Sequence, residues 1–450
     1  MTGSAVSFAD ALRFWSKLGF VSFGGPAGQI AIMHQELVEK RQWISERRFL
    51  HALNYCMILP GPEAQQLATY IGWLMHGTKG GIAAGALFVL PSLAILITLS
   101  WIYMAFGHVA VVAGLLYGIK PAVTAIVVHA GWRIGGRVMK NAWLVGVGGA
   151  AFAAIFFFDV PFPVIVGAAA LIGVAGGQWR PQAFSPDRGH HASAVATTVE
   201  RRFIIDDDTP TPAHARFRWT RVAVVAAIGL GLWAGVMALL IAHSGSAGTL
   251  AGMGTFFTKA ALLTFGGAYA VLPYVYEGAV ESHHWLTAPQ MMDGLALGET
   301  TPGPLIMVVA FVGFVGGWGK QVLGPEALFL GGVLAAGVAT FFTFLPSFLF
   351  ILIGGPFIET THGQLKFIAP LTAITAAVVG VIANLAVFFA WHVWWPHATA
   401  AQPLSGGFDV TSALLTIGAS VAIFRYKTGV IPVIAACGLA GVLVRFVFGG

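Results

Sequence analysis

Three lysines lie inside otherwise apolar stretches and are the residues best suited to chemistry. Lys17 and Lys259 each precede a Phe-Gly-Gly motif, and Lys120 precedes Pro121 in an uncharged region. An ionisable group in an apolar, membrane-length segment costs several kcal/mol, so a functional role is its default interpretation. We therefore expect the three ammonium groups to contact an anion. Lys17 lies early in its segment, and its side chain can instead extend to a membrane interface.

A hydroxyl residue followed by Phe-Gly-Gly occurs twice in the chain. The polar and glycine positions of the two copies are Ser22, Gly24, Gly25, Thr264, Gly266 and Gly267. Because glycine lets the backbone leave helical geometry, each copy predicts an interrupted membrane helix whose freed N–H groups can bind an anion. The alternative is that the glycine pairs only let two helices pack closely.

A Pro-Gly-Pro motif is also duplicated. Its members are Pro60, Gly61, Pro62, Pro302, Gly303 and Pro304. Proline favours the first turn of a helix and breaks a helix interior, so each motif predicts the end of one half-helix and the start of another. The new helix start places a partial positive charge inside the membrane. Gln65, Thr300 and Thr301 flank these breaks and can contribute donors to the same anion.

Two carboxylates stand beside the Pro-Gly-Pro motifs, Glu63 after the first and Glu299 before the second. A buried carboxylate that exchanges a proton can couple anion movement to a proton gradient, which makes both residues proton-coupling candidates. The alternatives are a carboxylate at the water interface or one that caps a helix start.

The sequence gives no indication of a metal, a cofactor or an enzyme. Cys56 and Cys437 are far apart, and no His, Cys or carboxylate spacing suggests a metal site. A phosphate-binding loop, a nucleophile elbow and an HExxH motif are also missing from the sequence. We therefore expect a protein without metal, cofactor or catalytic residues.

The composition indicates an integral membrane protein. Hydrophobic residues make up 57% of the 450 residues and charged residues only 9%, against roughly 25% charged in ordinary soluble domains. Uncharged runs approach the roughly 20 residues that cross a bilayer. The net charge of +6 is spread over short loops, which disfavours a nucleic-acid partner. Residues 1–10 lack a basic n-region, so we expect no cleavable signal.

The two copies of the motifs divide the chain into related halves. Ser22 and Thr264 are 242 residues apart, as are Pro60 and Pro302. The apolar run 222–242 has no counterpart in the first half, and this odd count predicts halves of opposite orientation. We expect a first repeat (1–178), a polar cytoplasmic linker (179–221), an extra transmembrane helix (222–245) and a second repeat (246–450).

The predicted fold is an all-α integral membrane protein with about 12–13 hydrophobic helical segments. They form two inverted-topology repeats with broken or re-entrant helices. A cytoplasmic N-terminus places most basic loops inside. The basic loop 40–48 fits this rule only if segments 8–34 and 49–76 are re-entrant hairpins, and the sequence leaves hairpins and full spans as alternatives.

Several motifs resemble the chromate transporter family in its long-chain, two-domain form. They are FVSFGGPA at 20–27, LPGPEAQQLA at 59–68, GIKPAV at 118–123, TFGGAY at 264–269 and TPGPL at 301–305. The resemblance implies a multi-pass protein of the bacterial inner membrane that exports chromate, driven by the proton gradient, and thereby gives chromate resistance. Leu305 stands where the first copy has Glu63, so we expect the two halves to differ in function.

Other functions remain open at this point. One alternative is a transporter of sulfate or another anion, and a second is an anion channel or lipid flippase that uses the same breaks without coupling. A membrane enzyme is the third. The expected partners are chromate or a sulfate-like oxyanion and membrane lipid, with a homodimer as a further candidate and no nucleic acid.

Overall fold

A computed structural model describes residues 6–23, 25–184, 203–207, 209–210, 212–265, 267–360, 368–396 and 407–448. These residues form seventeen α-helices, and their one β pairing is a bridge between Ile44 and Ile205. The helices are α1 (Phe8–Val21), α2 (Gly25–His34), α3 (Glu46–Cys56), α4 (Glu63–Phe106), α5 (Ala110–Val138), α6 (Ala142–Phe158), α7 (Phe162–Trp179), α8 (Pro181–Phe184), α9 (Trp219–Ser244), α10 (Thr249–Leu263), α11 (Ala268–Tyr276), α12 (Ala288–Thr300), α13 (Val308–Gly319), α14 (Leu328–Thr360), α15 (Ile368–Trp394), α16 (Val410–Phe424) and α17 (Val430–Phe448).

Seven of the helices in the described residues are long and apolar enough to cross a membrane. They lie in α4, α5, α7, α9, α14, α15 and α17. Large apolar side chains remain exposed on them, such as Leu230 and Leu239 on α9, as expected for surfaces that face lipid. The chain is thus an all-α, multi-pass membrane protein, as the composition predicts. Of the helices beside the duplicated motifs, only α4 is among these seven in the described residues, and the others (α1, α2, α3, α10, α11, α12 and α13) are too short to count as spans.

Helix α4 is two antiparallel arms rather than one long span. Its backbone leaves helical geometry at His76 and Gly77, where the φ of Gly77 is +66°. A Cβ atom on Gly72 would lie 2.5 Å from the Cβ atom of Ala84, so the chain folds back tightly at this point. The first arm, residues 63–76, therefore returns alongside the second arm, residues 77–106.

In the first half, each duplicated motif forms the tip of a helical hairpin. Hairpin A consists of α1 and α2, and its base is closed where the guanidinium of Arg41 lies 5.0 Å from the ring centres of both Phe14 and Trp43. Hairpin B consists of α3 and the first arm of α4. Its two arms meet at Glu359 of α14, which accepts hydrogen bonds from Arg48 at 3.1 Å and from Tyr70 at 2.5 Å. Both hairpins therefore enter and leave on one side.

The second half repeats this arrangement. Hairpin C consists of α10 and α11, whose rings Phe256 and Tyr274 stack at 5.0 Å. Hairpin D consists of α12 and α13, which approach so closely that a Cβ atom on Gly294 would lie 2.3 Å from the Phe311 ring. Its tip is the second Pro-Gly-Pro motif.

The second arm of α4 shows that hairpins A and D enter from opposite ends. His76, immediately before its start, contacts Phe8 at the base of hairpin A, with ring centres 5.5 Å apart. Further along, Ser92 lies against Gly303 at the tip of hairpin D. Tyr103, near its end, donates a hydrogen bond to Asp293, well away from that tip. From the start of this arm to its end, α4 therefore contacts first the base of hairpin A, then the tip of hairpin D, and then a part of hairpin D nearer its base. The two hairpins thus point in opposite directions along α4.

The described part of the polar linker packs against the bases of the first-half hairpins. The Ile205 amide donates to the carbonyl of Trp43 at 3.0 Å, and the Ser45 hydroxyl donates to the Asp207 carboxylate at 2.6 Å. His214 is 2.9 Å from the carbonyl oxygen of Trp73. These residues of the predicted linker therefore pack against the hairpins as well as connecting the two halves. Residues 185–202 of the linker, which include His190 and His191, lie outside the described residues.

Candidate functional site

The tips of the hairpins meet crosswise between the two halves. The N–H group of Gly61, at the tip of hairpin B, donates to the carbonyl oxygen of Thr264 at the tip of hairpin C at 2.8 Å. The N–H group of Gly303, at the tip of hairpin D, donates to the carbonyl oxygen of Ser22 at the tip of hairpin A, also at 2.8 Å. Each Pro-Gly-Pro motif is therefore held by the Phe-Gly-Gly motif of the opposite half.

A serine from a long helix of the opposite half closes each Pro-Gly-Pro turn. A Cβ atom on Gly61 would lie 2.4 Å from Oγ of Ser347, and one on Gly303 would lie 2.9 Å from Cβ of Ser92. Both glycines have positive φ angles, +122° and +100°. Glycine is required at both positions, because the backbone conformation and the close serine exclude a side chain.

Two helix starts at the tips lack side-chain caps, whereas the helix starts at the bases of hairpins A, B and D have them. Ser7 caps α1, Ser45 caps α3, and Thr287 forms a capping box on α12. At the tips, by contrast, neither Pro62 before α4 nor Gly267 before α11 forms a side-chain cap. The first N–H groups of these helices remain available to a ligand, and helix starts of this kind attract anions.

Three buried glutamines surround the tips. The amide nitrogen of Gln29 donates to the carbonyl of Gly303 and to that of Ser22, so it reinforces the contact between hairpins A and D. Gln65 donates to Thr69 at 3.0 Å, and Gln66 donates to the carbonyl of Pro60 at 2.8 Å. In all three, the amide oxygen has no hydrogen-bond partner within the described part of the chain. Turning such an amide by 180° would present its NH₂ group to an anion instead.

The hydroxyl groups predicted to bind the anion donate to their own helices instead. Ser22 and Thr264 each donate to the carbonyl four residues earlier, both at 2.6 Å. Thr300 and Thr301 donate to the carbonyls of Leu297 and Gly298. In this conformation these hydroxyls terminate helices, and their protons are not directed at a ligand.

Carboxylates and arginines lie around the tip of hairpin C. A Cβ atom on Gly267 would lie 3.9 Å from a carboxylate oxygen of Glu63, so the first-half glutamate reaches the second-half break. Tyr269 donates a hydrogen bond to Glu299, which ties the end of α12 to the start of α11. Arg137 and Arg133 of α5 are the basic groups that act electrostatically on Glu63 and Glu299, respectively.

The structure does not bring Lys17 and Lys259 together. Lys17 is exposed and lines an open cavity of about 520 Å³ at the base of hairpin A, together with Arg13 and Arg41. Lys259 is also exposed, and its electrostatic neighbour is His283 at the base of hairpin C. Each lysine thus lies toward the base of its own hairpin rather than at a common central point.

Lys120 occupies a different environment. Its ammonium group lies 3.5 Å from a carboxylate oxygen of Asp293 on α12, and the Asp293 side chain is only 4% exposed. Lys120 therefore has a buried counter-ion, which the sequence did not indicate.

Two predicted site residues, Gly24 and Gly266, lie outside the described residues. Sequence reasoning missed Gln29, Gln66, Arg133 and Asp293, although a polar residue within an apolar segment marks each of them. No group of three or more His, Cys, Asp or Glu side chains that could hold a metal occurs among the residues described.

Broken helical hairpins whose tips meet inside a helical bundle define a class of multi-pass membrane transporters. The chain belongs to the chromate transporter family, whose family model, described as chromate transporter, matches residues 9–174 and 251–442. It is 31% identical to the chromate transport protein of Pseudomonas aeruginosa over 447 residues, which cover 98% of this chain and 93% of that protein.

Other relatives carry similar descriptions. The chromate transport protein of Cupriavidus metallidurans is 27% identical over 393 residues, covering 86% of this chain and 84% of that protein. A probable chromate transport protein of Synechococcus elongatus is 27% identical over 387 residues, covering 85% of this chain and 84% of that protein. No solved structure matches the chain.

Proposed function

We propose that this protein exports chromate, or a similar tetrahedral oxyanion, across the bacterial inner membrane in a proton-coupled cycle that gives chromate resistance. The observation that supports this most is the crosswise contact between Gly61 and Thr264 and between Gly303 and Ser22. It gathers the free starts of broken helices from both halves around one central region, where their partial positive charges favour an anion.

The chemistry of a tetrahedral dianion fits this region. Such an ion offers oxygen acceptors on every side, so its site must supply donors in several directions. The first N–H groups of α4 and α11 and the amides of Gln65 and Gln66 supply them at the tips. Arg133, which acts on Glu299, adds positive charge. Lys17 and Lys259, at the bases, attract the ion toward the centre rather than hold it there.

The two halves supply the moving parts of the cycle. Each hairpin is short, and its tip meets the opposite half through hydrogen bonds and close contacts at the broken-helix motifs. Hairpin B is also held to α14 of the opposite half by Glu359. Separating one pair of tips exposes the central region to one side while the other pair stays closed, which is alternating access. Glu63 and Glu299, beside the tips, are the proposed carriers of the coupling proton. The second half has Leu305 at the position of Glu63, so the two pairs of tips differ in charge.

Everted membrane vesicles test this function. We expect vesicles containing the protein to accumulate chromate when energised, and a protonophore to abolish the accumulation. Passive chromate flux that the protonophore leaves unchanged would instead indicate an anion channel. Excess sulfate in the same assay determines whether a second dianion of similar shape competes.

A further inference from the structure

We propose that Lys120 and Asp293 form a second oxyanion site, in which Asp293 is the counter-ion of Lys120 until a dianion displaces it and Asp293 takes up a proton. This inference rests on the proposed function and deepens it. It assigns a proton that is bound and released together with the anion to a residue outside the hairpin tips, in addition to the carboxylates beside the tips.

Asp293 is buried but incompletely bonded. The residue is 2% exposed. One carboxylate oxygen accepts a hydrogen bond from Tyr103 at 3.1 Å and lies 3.5 Å from the ammonium nitrogen of Lys120. The other carboxylate oxygen has no partner in the described regions of the chain. A buried polar atom without a partner is unfavourable, and it is available to bind a proton.

Lys120 can leave Asp293 without moving through closely packed protein. Its side chain is 28% exposed, whereas that of Asp293 is 4% exposed. The ammonium group therefore has space on the side away from the carboxylate, where an incoming anion can meet it.

A line of buried hydroxyls connects this ion pair with the tip of hairpin D. Ser100 and Tyr103 are three residues apart on α4, and Ser92 lies about two turns before Ser100, so the three side chains lie along one side of the helix. Ser92 lies against Gly303, and Tyr103 bonds Asp293. Ser92 and Ser100 are fully buried, and neither hydroxyl has a hydrogen-bond partner among the residues that the structure covers. In the proposed cycle these free donors lie between the tip of hairpin D and Lys120, where they can donate to a passing dianion.

The surrounding charges leave Asp293 dependent on Lys120. Of the helices that pack on α12, α5 presents Lys120 and α4 presents Tyr103, while α13 carries no titratable side chain. The titratable side chains of α17 are Cys437 and Arg445, and this helix contacts α5 closely at Gly118 and Gly114. When a dianion draws Lys120 away, Asp293 therefore loses its counter-ion.

An isolated carboxylate in this apolar region is strongly unfavourable, so binding of one proton from water restores neutrality. When the anion leaves, Lys120 returns to Asp293 and the proton is released. One proton is thus bound and released for each anion that passes. No covalent bond forms or breaks other than the O–H bond of the carboxyl group.

A second buried ion pair in the chain serves as a matched control. Glu359 uses both carboxylate oxygens, one for Arg48 and the other for Tyr70, and its side chain is 6% exposed. This pair is saturated and therefore has no free position for a proton. It holds hairpin B to α14 without taking part in exchange.

The test uses the purified full-length protein in proteoliposomes, with chromate as the probe and an imposed pH difference of one unit. A pH difference of this size sustains about tenfold accumulation of chromate for each proton that is carried together with the anion. We expect Asp293→Asn still to transport chromate but to lower the accumulation ratio about tenfold, the share of one proton. Glu359→Gln, in the control pair, is expected to retain the accumulation ratio of the wild type.

Each result has a defined meaning. Accumulation by Asp293→Asn equal to that of the wild type would overturn the second site while leaving the proposed function intact. A wild type that neither binds nor accumulates chromate would overturn both. If Asp293→Asn fails to fold, the exchanged pair Lys120→Asp with Asp293→Lys keeps the ionic contact. We expect this double variant to fold and to show the same loss of accumulation as Asp293→Asn. An accumulation ratio equal to that of the wild type would show that the pair is only structural.

Discussion

The N–H group of Gly303 donates a hydrogen bond of 2.8 Å to the carbonyl oxygen of Ser22, although 281 positions separate the two residues. Gly61 and Thr264 form the equivalent bond with the roles of the halves exchanged. Membrane interiors contain no water to satisfy a broken helix, so its exposed backbone groups need protein partners. Here each half satisfies the break of the other. A break that opens in one half therefore leaves a free carbonyl in the other, and this links the two halves mechanically.

Replacing either central glycine should weaken this linkage. The φ angles of Gly61 and Gly303, +122° and +100°, are unfavourable for residues with a side chain. A Cβ atom at Gly61 would also lie 2.4 Å from Oγ of Ser347. We expect Gly61→Ala and Gly303→Ala each to lower the free energy of unfolding by about 1–3 kcal/mol and to reduce transport strongly. Thermal unfolding of the purified variants and vesicle uptake measure the two effects.

Gly146→Ala in α6 is the matched control, because a Cβ atom there would meet no atom within 4 Å. This variant should unfold at or slightly above the wild-type temperature, since alanine favours a helix over glycine. Wild-type stability in Gly303→Ala would show that the tip tolerates a side chain and that the crosswise bond is dispensable.

The sequence was sufficient to locate the breaks, because glycine and proline act on the backbone of their own segment. The positive φ angles of Gly25, Gly61, Gly267 and Gly303 fall within the duplicated motifs. The sequence does not distinguish full spans from hairpins, since short apolar arms are compatible with both. In the structure the two arms of hairpin B lie side by side, since Glu359 bonds Arg48 from one arm and Tyr70 from the other.

The sequence could not identify which polar groups meet in space. The sequence predicts that the hydroxyls of Ser22 and Thr264 bind the anion. Within a helix, however, a hydroxyl readily donates to a carbonyl of the preceding turn, as both do here. Asp293 was overlooked because its partner Lys120 lies 173 positions earlier. The carbonyl oxygens that hold the tips are common to every residue type, and no sequence pattern distinguishes them.

Gln29 should contribute more to stability than an ordinary surface glutamine. Its buried amide donates to the carbonyls of both Gly303 and Ser22, and so it bridges hairpins A and D. We expect Gln29→Leu to lower the free energy of unfolding by about 1–3 kcal/mol, because two buried carbonyls lose a donor. Gln178→Leu, at an exposed position on α7, should have little effect. Equal melting temperatures for the two variants would contradict the bridging role.

Arg48 should be essential for the stability of hairpin B. Its guanidinium bonds the buried carboxylate of Glu359 at 3.1 Å and the carbonyl of Thr209. Arg48→Ala leaves Glu359 without its cation, and breaking a buried pair in this way costs about 3–5 kcal/mol. The neighbouring Arg47 is exposed, so Arg47→Ala is the control. Thermal unfolding of Arg48→Ala and Arg47→Ala measures the difference. A small loss of free energy of unfolding in Arg48→Ala would indicate that Tyr70 alone stabilises the carboxylate.

Lys259 provides the clearest comparison between the sequence-based hypothesis and the structure. The sequence places Lys259 in the anion site, whereas the structure places it on an exposed face of α10 with His283 as its electrostatic neighbour. We therefore expect Lys259→Ala to change the Kd for chromate by no more than about threefold, in line with the small energies of exposed charges. Titration of the purified protein with chromate, followed by its Tm, measures this because a ligand of the folded state raises its stability.

Lys120→Ala should weaken the same Tm response, since it removes the lysine that has a buried counter-ion. Loss of the chromate response in Lys259→Ala, with a normal response in Lys120→Ala, would return Lys259 to the anion site.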